Sequence, residues 1–487
     1  MKARIGDYLQ RGRIGSLVGA MALMAVVLVG VGPSSAFAAS SNAKHCVARP
    51  NKNLTKCDFA GADLAGADLK HSNLKDANLT GANLTGANLT GAKLPDANLT
   101  GANLTSADLD GAKLVHANLT DADATDADLV DINGLGADLD GATFTGADLT
   151  SADLQTDNLT GATFTNANLT DANLAAATLT DAGLANADLT GAGFGANVAS
   201  GITGTPASMP INWMLVDGYL IGPDAIIAGA DLANADLAGA DLFNATAGGA
   251  NFTNANLTGA NLNLSVLYGD NLTGAILTDA DLADTNLGLA ELAGVSSGGI
   301  TGTPASLPTN WSLIDGYIVG AAANLTDAAL SNADLAGLNL TDGILTGADL
   351  DGTDLETTNF TDADLTDADL TDAVLTGTNL TGAALISGMT QGMVSGGITG
   401  TPASLPLDFI LFDGYLIGPY ANLTGADLAN ADLSGAGADF FYANLTNANL
   451  DGADLTDSEI ATVNWSNTTC PDGTNSDDDG GTCYYDL

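Results

Sequence analysis

A large apolar residue returns at every fifth position along this chain. Leu64, Leu69, Leu74, Leu79, Leu84, Leu89, Leu94, Leu99 and Leu104 show the spacing without a break. Five matches neither the 3.6-residue turn of an α-helix nor the two-residue repeat of a flat strand. Around each leucine the unit is Ala-(Asp/Asn)-Leu-(Thr/Ser)-(Gly/Asp), as in Ala82-Asn83-Leu84-Thr85-Gly86. In a short extended segment, positions i and i−2 share a face. Leu and the Ala two places before it therefore turn inward, and Asn/Asp and Thr turn outward. Gly, Asp or Asn at the end of the unit suits a corner. The pattern predicts short strands joined by bends, coiling around an apolar axis. Each coil touches only its neighbours, so the two ends need protection.

Charge narrows the partners. The chain has 487 residues, with 12 Lys and Arg against 58 Asp and Glu, a formal charge of −46. Lys113 is the last basic residue, and His45, His71 and His116 all lie near the start. Such a surface repels nucleic acid and anionic membranes and attracts cations or basic partners. Two carboxylates stacked one coil apart repel by about 0.9 kcal/mol in water. Asn in place of Asp, as in the Asn-rich run from Asn78 to Asn103, relieves this. Catalysis lacks its usual groups: no His follows His116 to activate a nucleophile, and no Lys or Arg follows Lys113 to meet a developing anion. Nearly every Asp falls on a repeat position and none stands out, so the reading is a non-enzyme.

The A(D/N)LXX unit resembles that of the pentapeptide repeat family, and the likeness covers most of the chain beyond Leu54. The resemblance implies an all-β fold, a right-handed quadrilateral β-helix with four pentapeptides per coil. Roughly 65 repeats would then form about 16 coils and, at about 4.8 Å per coil, a rod near 80 Å long. Some family members resemble duplex DNA and bind gyrase. The charge here fits that role, but an exported chain does not meet a cytoplasmic enzyme.

Export is expected from residues 1–38, which read as a signal peptide. Lys2, Arg4, Arg11 and Arg13 form the basic start, Leu17 to Val31 the apolar stretch, and Ala36-Phe37-Ala38 the cleavage motif. The expected location is secreted or extracytoplasmic, with no membrane span after cleavage. Four cysteines suit that setting. They form two close pairs, Cys46/Cys57 and Cys470/Cys483, one near each end. Local pairing is the simplest of three connectivities, and each short loop would contribute on the order of 3 kcal/mol.

A longer period overlies the short one. Ile202-Thr203-Gly204-Thr205-Pro206-Ala207-Ser208 recurs at Ile300 and Ile398, 98 residues apart each time. Each copy runs into an Asp-Gly between apolar stretches, at Asp217-Gly218, Asp315-Gly316 and Asp413-Gly414, a strong hairpin signal. These are three hairpin-like inserts on one rod. The predicted divisions are the leader (1–38), an N-terminal cap (39–57) and pentapeptide repeats (58–196, 227–294, 325–392 and 423–462). The inserts occupy 197–226, 295–324 and 393–422, and an acidic disulfide-closed cap ends the chain (463–487). Fourteen pentads between inserts make three and a half family coils, so neighbouring inserts are expected on different sides.

Two kinds of candidate site emerge. Trp213 and Tyr219, Trp311 and Tyr317, and Phe409 and Tyr415 either pack onto the rod as staples or project as binding arms; aromatics in hairpins usually pack. In the C-terminal cap, Asn475, Asp477, Asp479 and Asp486 have the spacing of a calcium loop, with Asn in place of the first Asp and Asp in place of the closing Glu. The alternative there is a solvated acidic turn. The expected function is a structural rod or a module that binds a protein or a cell surface. The alternatives are an acidic DNA mimic and a calcium- or lattice-binding surface.

Overall fold

The computed structural model describes residues 37–38, 46–434, 437–460, 462–478 and 480–484. The expected leader lies outside these residues except for β1 (Phe37–Ala38), whose backbone pairs antiparallel with β2 (Val47–Ala48). Among the described residues no helix is long and apolar enough to cross a membrane.

The residue before each central Leu forms a parallel bridge to its equivalent four pentads later, as in Asp58 to Asn78, Asn78 to Asn98 and Asn98 to Asn118. One coil is therefore four pentads. The backbone between coils is tied at every pentad. Leu64 donates to the Asn83 carbonyl (2.7 Å), Gly66 to Thr85 (2.8 Å), and Asn83 donates back to Ala62 (2.9 Å). Leu and Ala fill the interior: Leu84, Ala87, Leu89 and Ala92 are all fully buried.

Corners form because Ala67 donates to the Leu64 carbonyl at 3.0 Å, closing a four-residue turn. The third turn residue, Gly66, sits at φ +62°, a conformation open to Gly and tolerated by Asp and Asn. The Asn or Asp before each Leu supports the same corner. Asn78 Oδ1 accepts from the Thr80 N–H at 3.2 Å and from its hydroxyl at 2.7 Å. The Asn78 amide also donates to Asp58 Oδ1 on the preceding coil at 3.0 Å. Amide and carboxylate thus alternate as donor and acceptor where two carboxylates would repel.

At three places the bridge step lengthens by eight positions: Val198 pairs with Ile226, Ser296 with Asn324, and Val394 with Asn422. Each long coil keeps three bridging pentads and replaces the fourth with an antiparallel pair. These pairs are β3 (Met214–Val216) with β4 (Tyr219–Ile221), β5 (Ser312–Ile314) with β6 (Tyr317–Val319), and β7 (Ile410–Phe412) with β8 (Tyr415–Ile417). A smaller lengthening, by two positions, lies between Asn422 and its partner Asn444.

A single unbroken apolar column is what the pentads alone suggest; the interior is instead three clusters in series. The first ends at Leu220 and the next begins at Ile221; the second ends at Ile318 and the third begins at Val319. The third runs through β7 and β8 without a break. Disulfides join Cys46 to Cys57 and Cys470 to Cys483.

Candidate functional site

Ile202 and Ile300 mark equivalent points of successive modules. Once the eight positions that a long coil adds are removed, the interval between them is eighteen pentads, or four and a half ordinary coils. Half a coil is half a turn. By register, β3–β4 and β7–β8 therefore share one face of the rod, and β5–β6 lies on the opposite face.

Each pair is held flat by the same contacts. The Asp-Gly turn places Asp217 at φ +48° and Gly218 at +82°, as a two-residue hairpin turn requires. The Gly218 carbonyl then accepts from Ile202 of the recurring motif at 3.1 Å, and Gly316 and Gly414 accept likewise from Ile300 and Ile398. Tyr219, Tyr317 and Tyr415 each accept a backbone N–H through the phenol oxygen, from Asp231 (3.2 Å), Ala329 (2.9 Å) and Asp427 (3.2 Å). Trp213, Trp311 and Phe409 lie over Gly222, Gly320 and Gly418; a Cβ there would fall 2.3–2.4 Å from the ring, so only glycine fits. Trp213 packs against both the first and second clusters, and Trp311 against both the second and third. The tryptophans thus cover the two seams of the core.

Two acidic residues depart from the outward pattern read from the sequence. Asp157 and Asp270 occupy the inward Ala position and are buried. One oxygen of each accepts a backbone N–H at 2.9 Å, from Ala137 and Ala250; the other is buried without a partner. Burial pushes Asp157 up to about 8 and Asp270 up to about 6. Each faces a shortened core position on the preceding coil. Gly134 and Ala247 stand where Leu is the rule, and a Cβ on Gly134 would lie 2.7 Å from Asp157 Oδ2. Other polar residues at this inward position donate to the corresponding carbonyl of the preceding coil, as Thr353 does to Leu330 (2.9 Å) and Thr358 to Leu335 (2.8 Å). A neutral carboxyl has the O–H needed to do the same. On the outer surface, by contrast, the Ser208 and Thr190 hydroxyls donate to Asp188 and hold its carboxyl below the usual range.

In the C-terminal cap, Asn475 and Asp477 close the last coil. Asp477 Oδ1 accepts from the Asn467 N–H (2.9 Å), the Asn475 amide donates to Asn467 Oδ1 (3.0 Å), and Asp477 donates its N–H to Asn475 Oδ1 (2.9 Å). Asp479 and Asp486 lie outside the described residues. Among the described residues no three His, Cys, Asp or Glu side chains are grouped as metal ligands would be.

Parallel bridges at a fixed step of four pentads, with an inward Leu and Ala in each pentad, define a β-helix of five-residue units. A family model described as pentapeptide repeats (8 copies) matches residues 53–91, 82–121, 117–155, 158–194, 227–259, 250–288, 323–362, 358–387 and 420–457, leaving out the three antiparallel pairs. The chain belongs to the pentapeptide repeat family, whose fold is a right-handed β-helix. Among solved structures it is similar to HetL, a pentapeptide repeat protein involved in heterocyst differentiation regulation in the cyanobacterium Nostoc. That match has 27% identity, covers 53% of this chain and 87% of HetL, and has a TM-score of 0.27. It is also similar to Rfr23 of the cyanobacterium Cyanothece (39% identity, 16% and 54% coverage, TM-score 0.16). A pentapeptide repeat protein of the Arabidopsis thaliana thylakoid lumen matches at 31% identity (19% and 69% coverage, TM-score 0.17). No curated protein matched.

Proposed function

We propose that this chain is an exported, non-catalytic rod with quadrilateral coils that binds a protein or a cell surface. One observation carries the reading. From Leu114 to Leu487 the outer columns contain no Lys or Arg, and hydrogen bonds hold their carboxylates and amides at the coil spacing. The Asn168 amide donates to Asp148 on the preceding coil and its oxygen accepts from the Thr170 N–H, and Asn256 does the same with Asp236 and Thr258. A rigid surface of one sign selects partners of the other and steers their approach. Family members are in general structural or binding proteins rather than enzymes, which supports the same class. The three hairpin-like inserts act as staples rather than free arms, because Tyr219, Tyr317 and Tyr415 are tied to the following coil. Two disulfides, and the basic-then-apolar order from Met1 to Ala38, support an oxidising location outside the cytoplasm.

The test is binding of the fluorescently labelled rod, residues 39–487, to intact cells and to cell-wall fractions of the producing organism. Saturable binding that weakens with added salt is expected. Binding equal to that of a charge-matched polyglutamate control would refute the reading. Calcium at Asn475, Asp477, Asp479 and Asp486 is a subsidiary proposal, tested by titration calorimetry of the whole rod against its Asp477→Asn variant.

A further inference from the structure

The two antiparallel pairs that share a face also share a surface chemistry that the opposite pair lacks. Three positions are equivalent by register and by hydrogen bonding. The first lies in the loop before the pair: Ile211, Thr309 and Leu407. The second follows it: Pro223, Ala321 and Pro419. The third is on the next coil, where Phe243, Thr341 and Phe441 accept through their carbonyls from Asp224 (2.8 Å), Ala322 (2.7 Å) and Tyr420 (2.8 Å). On the shared face the set is Ile or Leu, Pro and Phe; on the opposite face it is Thr, Ala and Thr.

These are not core residues at a frayed edge. Ile211 is 89% exposed and Leu407 85%, among the most exposed large apolar side chains described, and Phe243 and Phe441 are exposed as well. At the second patch Leu407, Pro419, Tyr420 and Met389 line a groove of about 390 Å³. Tyr420 there stacks on Tyr442 at 5.2 Å, with Phe441 edge-on to both. A carboxylate supports each phenylalanine: Asp241 accepts the Phe243 N–H (3.2 Å) and Asp439 the Phe441 N–H (2.8 Å), where the opposite face has the neutral Asn339 under Thr341. Ile211 and Leu407 are two modules apart, which is nine ordinary coils once the two lengthenings between them are removed. At about 4.8 Å per coil the patches are about 43 Å apart along the rod.

We propose that this face is a two-point docking surface for a basic polypeptide, with each Ile/Leu–Pro–Phe patch taking an apolar anchor and the surrounding carboxylates taking Lys or Arg. Charge complementarity selects the occupant. No basic residue lies anywhere beyond Lys113, so every ionised group around either patch is a carboxylate. A second copy of the chain would bring like charge against like. A purely cationic polymer would leave the apolar side chains uncovered, and exposed apolar groups of this kind mark interaction sites. Two patches on one rigid rod raise the effective concentration of the second contact once the first is made. The proposal rests on the binding-module reading and adds its face and the partner's chemistry.

The test uses the whole rod and two probes in fluorescence anisotropy. One is an amphipathic Lys/Leu helix of about 30 residues, long enough at about 1.5 Å per residue to reach both patches; the other is polylysine of the same length. The variant Ile211→Thr/Phe243→Thr/Leu407→Thr/Phe441→Thr copies residues that the opposite face already accommodates. Its affinity for the Lys/Leu helix is expected to fall by about tenfold or more, with polylysine binding unchanged. The two half-variants, Ile211→Thr/Phe243→Thr and Leu407→Thr/Phe441→Thr, are each expected to give an intermediate loss, and they decide the matter if the fourfold variant does not fold. Undiminished Lys/Leu binding by folded variants overturns the face assignment alone. Failure of the unmodified rod to bind either probe overturns the binding-module reading with it.

Discussion

Replacing Asp157 with Asn should stabilise the rod, by an amount set by pH. The carboxyl is buried, with one oxygen on the Ala137 N–H and the other unpartnered. Its ordinary value is 3.8 and burial raises it to about 8. For an acid raised in this way, the folded chain holds the proton more tightly than the unfolded chain does. The carboxyl therefore carries no ionisation penalty below about pH 3.8, a growing one as pH rises, and the full penalty above about pH 8. At about 1.4 kcal/mol per pH unit, the penalty is at most about 4 kcal/mol at pH 7 and about 6 kcal/mol at its limit. Asn has nearly the same shape and does not ionise. It also suits the position, since Asn197 is already buried at an inward site and its amide donates to the Leu174 carbonyl on the preceding coil. Guanidinium unfolding of both proteins from pH 4 to pH 9 is the assay. The remaining carboxylates are common to both, so the difference isolates Asp157. A gap near zero at pH 4 that widens to several kcal/mol by pH 8 is expected. A gap that does not change with pH would refute the reasoning.

Asp270→Asn should behave likewise over a lower and narrower range, its gap complete by about pH 6, as the same titration series will measure. Trp311→Ala uncovers the seam at Ile318 and Val319 and should cost about 3 kcal/mol, splitting the calorimetric melt into two transitions; a single transition at the original temperature would argue against a seam. Replacing Cys470 and Cys483 with Ser should lower stability by about 3 kcal/mol, with hydrogen exchange rising first in the coil that ends at Cys470. Added salt should raise the melting temperature, because the outer carboxylates repel across coils; scanning calorimetry from low to high sodium chloride checks this.

The pentad was open to reading because its two inward positions are simple apolar residues repeated in phase, and Leu64 to Leu104 are buried as the spacing implies. The coil of four pentads was not readable from a period of five, since any whole number of pentads per turn preserves that period; it entered through the family resemblance. The Asp-Gly turns announced β3 to β8, because a two-residue turn leaves its signature locally. The division of the core was hidden. It depends on which buried side chains touch across a long coil, and no local pattern encodes that. Asp157 and Asp270 were missed for a different reason: in composition they merge with the outward aspartates. The signal was a pair of breaks on neighbouring coils, a missing Leu at Gly134 or Ala247 matched by a missing Ala at Asp157 or Asp270. The shared chemistry of the two exposed patches likewise needed the register: nine ordinary coils over two modules place Ile211 and Leu407 on one face, and the half coil in each module places Thr309 on the other.

The stacking of one coil per four pentads is tested most directly by a distance along one column of bridges. Asp58 and Val198 end an uninterrupted run of seven such steps. Spin labels on an Asp58→Cys/Val198→Cys variant, with the four native cysteines held in their disulfides, report that distance by double electron–electron resonance. A single narrow peak near about 34 Å, seven steps of about 4.8 Å, is expected. A broad distribution, or a peak displaced by more than two coils, would contradict the stacked-coil account.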